Sequence, residues 1–200
     1  MDFKVRDLKH RVTDLIDSIE GVVRNEIDEE RNPQAKIRRV ILAYSGAAAA
    51  VNVNPIPLAS FVLLTPIHTA MVLHVGKRMG HELTVQNAAE IFKQILGAVG
   101  LSLAARLAAN ILLGVGLPII GGYLRSPAVF ALTYGLGRVA EEYFARKNEG
   151  LDFNKKEARK IFEQAIKEGR VEGAYAKAGQ KKKKTATKKP TAKTAAKPQK

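Results

Sequence analysis

The chain has neither cysteine nor tryptophan among its 200 residues. The first absence excludes a disulfide framework, a thiol nucleophile and any cysteine-ligated zinc or iron–sulfur site. Charge is also scarce, but only locally. Residues 40–137 carry only seven Asp, Glu, Lys or Arg side chains: Lys77, Arg78, Glu82, Glu90, Lys93, Arg106 and Arg125. A soluble domain places roughly 25 in a stretch of that length. From Val40 to Gly76 there is none, so either other protein or lipid must cover this surface. The signatures of common catalysis are missing too. Gly114-Val115-Gly116 is followed by Leu117-Pro118 and lacks the third glycine of a dinucleotide loop, and no glycine-rich loop ends in Gly-Lys-Ser or Gly-Lys-Thr. No Gly-x-Ser-x-Gly elbow or His-Glu-x-x-His pair occurs. The sequence therefore predicts a protein that is not an enzyme and uses no cofactor.

What is present is segregated. Residues 1–39 balance nine basic groups against nine acidic ones, whereas residues 180–200 hold nine lysines and no acid. Most of the net charge of +14 thus sits in one tail, and a basic surface spread over the whole protein is not indicated. The first twenty residues alternate charge and form no apolar secretory core, which predicts a cytoplasmic N-terminus. Leu8, Val12, Leu15, Ile19 and Val22 follow a 4-3-4-3 spacing, the mark of an amphipathic helix. It has two readings: a helix packed on its own domain, or a short coiled coil through residues 5–27 that joins two copies.

Asn32-Pro33 reads as a helix cap followed by a first-turn proline. Two arms, about 36–53 and 58–79, are separated by Asn54-Pro55-Ile56-Pro57, since two prolines within three residues break a helix. The uncharged run Pro57–Val75 reaches roughly 28 Å, near the thickness of a bilayer's hydrocarbon. Pro66 is expected to kink it. After a polar interruption, Thr84 caps a helix that is expected to run through Leu96 into a second apolar region rich in small residues. A loop from Leu117 to Pro127 and a last arm, about 128–143, close a second hairpin. Residues 152–168 form an amphipathic helix, and the Lys-Thr-Ala-Pro tail is expected to be disordered. The fold class is all-α: two hydrophobic helical hairpins flanked by amphipathic helices. The expected divisions are an amphipathic helix at 1–31, the hairpin domain at 32–147, a helical segment at 148–179 and the tail at 180–200.

Small and turn-forming residues, Asn54, Pro55, Pro57, Gly114, Gly116, Gly135 and Gly137, are the candidate packing and turn positions. His68 and Arg106 are the candidate buried polar groups, since each stands alone in apolar sequence and needs a partner. His68 and His74 lie six residues apart, about 240° around a helix, so they face differently and make a poor metal pair. Glu82 and Glu90 read as loop and cap residues rather than a carboxylate pair. Lys181, Lys182, Lys183, Lys184, Lys188 and Lys189 suit an anionic surface, either lipid headgroups or, without sequence preference, nucleic acid.

With these motifs laid out, a family resemblance appears. Asn54-Pro55-Ile56-Pro57, Thr65-Pro66-Ile67-His68, Met71 and Gly80 resemble the core of the domain-of-unknown-function family number 697. Gly114-Val115-Gly116 and Thr133-Tyr134-Gly135-Leu136-Gly137-Arg138 carry the resemblance on, over about residues 36–145. That family is similar to hydrophobic domains fused to, or encoded beside, Era-like GTPases, and to bacterial inner-membrane proteins. Where the family often has an aspartate after the Pro-x-Pro turn, this chain has Ala59-Ser60-Phe61. The resemblance implies a membrane-associated helical module at the bacterial inner membrane that answers to a GTPase in trans. The positive-inside rule places both termini in the cytoplasm. The alternatives are a soluble α-helical adaptor in the cytoplasm, its apolar core covered by its own terminal helices, and a channel or pore.

Overall fold

The computed structural model describes residues 31–51, 57–113 and 125–186, together with 10, 13–14 and 16–21. Side-chain placement is described for these except at 51, 57–63, 108–113, 125–126 and 174–186. The regular structure among the described residues is helix, with no strand, as the sequence predicts. In chain order the helices are α1 (Pro33–Val51), α2 (Pro57–Arg78), α3 (Val85–Val99), α4 (Leu101–Leu113), α5 (Arg125–Asn148) and α6 (Lys155–Ala186).

Local signals account for most helix starts. Asn32 Oδ1 accepts from the backbone N–H groups of Gln34 and Ala35 at 2.9 and 3.3 Å, with Pro33 in the first turn where no donor is needed. At α3, Thr84 Oγ1 accepts from the N–H of Asn87 (3.2 Å) and Asn87 Oδ1 accepts from the N–H of Thr84 (3.3 Å), a reciprocal capping box. Thr84→Ala is expected to cost about 1 kcal/mol, and thermal unfolding should show it as a fall of roughly 2–4 °C. Pro66 lies on an exposed face of α2, and the helix continues through it to Arg78.

Three boundaries differ from the sequence reading. The helix entered at Thr84 does not run on into the apolar region; it ends at Gly100, whose φ of +85° only glycine adopts without strain, and α4 leaves at 71° to α3. The last arm is longer than expected, Arg125–Asn148. The C-terminal amphipathic helix runs past 168 to Ala186 and takes residues 180–186 into it, while 187–200 lie outside the described residues. Gly169, before which the helix is expected to end, and Gly173 let α6 lie close to α5. A Cβ on Gly169 would meet the Ala131 Cα at 3.0 Å, and one on Gly173 the Phe130 ring at 3.1 Å.

α5 is the centre of the bundle and is packed by all the other five helices. Between Ala128 and Ala140 it is buried on nearly every side, and Tyr44, Tyr134, Phe144 and Phe162 are the largest fully buried side chains. A helix wrapped in protein all round has no use for charge. Much of the uncharged sequence is explained in this way: Ile67, Met71, Val72 and Val75 of α2 are also buried. From the N-terminal segment, Ile19 is buried in the same core and Ile16 packs against it. Among the described residues no single helix is long and apolar enough to cross a membrane, and the expected bilayer-length arm is not supported. The bent pair formed by Val85–Val99 and Leu101–Leu107 meets the length and hydropathy requirement only when both parts are taken together.

Candidate functional site

The histidines of the α2 region each find a different neighbour. His68 is buried, its Nε2 3.0 Å from Thr133 Oγ1 on α5 and its ring centroid 5.2 Å from that of Phe92 on α3. Burial pushes its pKa down to about 4, so the ring is neutral at pH 7. His74 faces the other way. Its Nδ1 is 2.6 Å from the Tyr44 hydroxyl on α1, and its Nε2 is 3.8 Å from Glu20. Burial lowers the His74 pKa and Glu20 opposes that shift, while burial raises the Tyr44 pKa. His81, just beyond α2, stacks near Phe144 at 5.0 Å. No group of three His, Asp or Glu side chains suited to a metal ion occurs among the described residues. Glu90 pairs with Lys93 at 2.7 Å along α3. These contacts join helices. Tyr44 and Thr133 carry no local sequence signal, because their partners lie 30 and 65 residues away.

Arg106 is not buried, contrary to the sequence reading; α4 packs on the core through Leu103, Ala104 and Leu107 and carries Arg106 on its exposed face. It lines a cavity of about 460 Å³ with Gly100, Ser102, Leu103, Arg159 and Glu163. Arg159 Nε donates to the Ala98 carbonyl at 3.0 Å, which ties α6 to the end of α3. The recess gathers two guanidiniums, one carboxylate and one hydroxyl, and the sequence offered no sign that Arg159 would join Arg106 there.

Of the candidate packing positions, Gly135 and Gly137 face other helices at close range. A Cβ on Gly135 would lie 2.8 Å from the Phe162 ring, and one on Gly137 2.6 Å from Ile41 Cγ2. Pro57 opens α2. Asn54, Pro55, Gly114 and Gly116 lie outside the described residues, as do Lys188 and Lys189; Lys181–Lys184 are on the last turns of α6.

The arrangement with most bearing on function is one of direction. His68 meets Thr133, Gly76 lies against Phe144, and Asn148 Nδ2 donates to the Met79 carbonyl, so α2 and α5 run parallel. Pro57 and Arg125 therefore lie at one end of the bundle, and Lys77, Arg78, Arg146 and Lys147 at the other. The model of a family described as "Domain of unknown function (DUF697)" matches residues 16–171. The chain belongs to the DUF697 family. No match is found among curated proteins or among solved structures. The match to DUF697 spans the core helices and stops before the lysine-rich end of α6.

Proposed function

We propose that this DUF697 chain is a non-enzymatic helical module that docks on a membrane by one end of its bundle. The single observation that supports this reading is the parallel course of α2 and α5. Protein covers the uncharged middle of both helices, but the uncharged sequence 52–56 leads into Pro57 and 114–124 leads into Arg125 at the same end. The second of these segments includes Leu117, Ile119, Ile120 and Leu124. An apolar end on an otherwise charged body suits shallow insertion into one leaflet better than a span. The inner membrane's cytoplasmic face is the proposed site, with the opposite end left for a GTPase acting in trans.

Vesicle flotation of the full chain tests the reading. Association is expected to persist at high salt, because burial of apolar surface is not screened. Ile119→Asp with Ile120→Asp is expected to weaken partitioning by at least tenfold, since burying each side chain is worth about 1.5–3 kcal/mol. Circular dichroism should remain helical. A wild-type chain that stays in the aqueous phase at every lipid concentration would overturn the proposal in favour of a second reading, an adaptor whose core is sealed by its own helices. The all-round burial of α5 favours that alternative.

A further inference from the structure

Helices α4 and α6 bring side chains of opposite helices to the recess that Arg106 shares with Arg159. Ser102 and Arg106 are one turn apart on α4, and Arg159 and Glu163 one turn apart on α6, so each pair lies on one face of its helix. Leu103, Ala104 and Leu107 hold α4 on the core. Arg159 is held by its Nε bond to the Ala98 carbonyl, and its Nη2 lies 3.6 Å from the point where a Cβ on Gly100 would stand. The outer nitrogens of this guanidinium are therefore kept at the head of α4. That helix begins at Gly100, whose carbonyl accepts from the Ala104 N–H at 3.2 Å, but which has no side chain to cap the donors that follow. Among the described residues neither arginine forms an ion pair, although Glu163 lines the same recess. Two guanidinium forks and a hydroxyl thus meet in one space with one carboxylate to offset them. A carboxylate ligand is satisfied by a single fork, since its two oxygens lie in one plane. A phosphate has tetrahedral oxygens, which donors on two different helices can share.

We propose that the recess between α4 and α6 binds a phosphate group, free or as the terminal group of a small phosphorylated molecule. Arg106 and Arg159 clamp it from the two helices, and Ser102 with the first N–H groups of α4 serves the remaining oxygens. Glu163 is a like charge beside the site and holds its affinity down. The volume of about 460 Å³ is more than one phosphate needs and leaves room for an attached organic part. The site stands apart from membrane docking, and its four side chains lie within the region matched by DUF697.

Phosphorus NMR titration of the full chain with inorganic phosphate, at constant ionic strength and about pH 8, tests the site. Binding is expected in the millimolar range, as suits charges that solvent still reaches. Arg106→Gln should weaken it about tenfold, the effect of removing a charge-assisted hydrogen bond. Arg159→Gln also unties α6 from α3, so the informative change there is Arg159→Lys, which keeps the charge, loses the fork and should still weaken binding several-fold. Glu163→Gln should tighten binding about threefold, a gain that a merely structural role would not produce. Acetate should bind the wild type at least tenfold more weakly than phosphate. Glycerol 3-phosphate separates the two sources: tighter binding than inorganic phosphate assigns the site to a phosphorylated molecule, and equal or weaker binding assigns it to the free ion. The nine lysines of residues 180–200 are present in every variant and set a common background. Equal phosphate affinity in the wild type and Arg106→Gln would place the ion on that tail and overturn the proposal. So would weaker binding in Glu163→Gln, or acetate binding as well as phosphate does.

Discussion

Replacing Phe162 by alanine is expected to cost about 3–5 kcal/mol and to lower the unfolding temperature by roughly 10 °C. The ring is fully buried on α6 and lies over Gly135 of α5, where an added Cβ would come within 2.8 and 2.9 Å of two ring carbons and 3.2 Å of Ile166 Cγ1. A glycine offers no side chain to collapse into the space the ring leaves, so the cavity persists and the cost falls in the upper part of the usual range. The same contact fixes the sign of a second change. Gly135→Ala gains about 1 kcal/mol of helix propensity but forces the ring away, and overpacking of this kind costs about 1–3 kcal/mol. In the wild type it should destabilise. In the Phe162→Ala background the obstacle is gone, and the alanine should be neutral or stabilising. Denaturant unfolding of the four proteins measures this coupling directly. If Gly135→Ala costs the same in both backgrounds, the close approach of α5 and α6 is not what the glycine serves.

That glycine also shows how far the sequence can be read. Periodicity and turn chemistry carry the all-α class and the breaks at Pro57 and Thr84, and the family resemblance singles out Gly135 and Gly137. They fail where tertiary contact overrides local preference. The helix is expected to end before Gly169 because glycine costs about 1 kcal/mol in a helix interior, and Gly173 follows four residues later. Here they are the positions at which α6 touches Ala131, Tyr134 and Phe130. Arg106 illustrates the reverse error. Its apolar neighbours suggest burial, but α4 packs on the core through Leu103, Ala104 and Leu107 and turns Arg106 away from it, and the bend of 71° at Gly100 leaves no trace in helical periodicity. The uncharged stretch needs cover from either protein or lipid, and its sequence does not choose between them. The wrapping of α5 by five helices makes protein the cover over Ala128–Ala140. Which helix ends share a side depends on pairs such as His68 and Thr133, 65 residues apart, and no local pattern encodes them.

The same pair makes the fold sensitive to acid. His68 in the folded chain titrates at about 4, against 6.5 for an unburied imidazole. As the pH falls, the unfolded chain takes up the proton first, and between these values it holds more protons than the folded chain. Stability is therefore fully present above about pH 6.5 and declines down to about pH 4, by an amount on the order of 3 kcal/mol. His74, lowered by burial in the same sense, adds to the decline, whereas Glu141, raised by burial, works against it. A comparison of slopes isolates the His68 contribution. His68→Leu alone leaves the buried Thr133 hydroxyl without its partner, which costs about 1–3 kcal/mol, so the informative variant is His68→Leu with Thr133→Val. Replacing both partners by apolar side chains should leave stability at pH 7 within about 1 kcal/mol of the wild type. Urea unfolding at pH 7, 6, 5 and 4.5 should then show most of the wild-type decline abolished. If the double variant loses stability with acid as steeply as the wild type, the burial of a neutral His68 between α2, α3 and α5 is not the source of the acid sensitivity. His74, facing α1 and Glu20, would then be the next residue to replace.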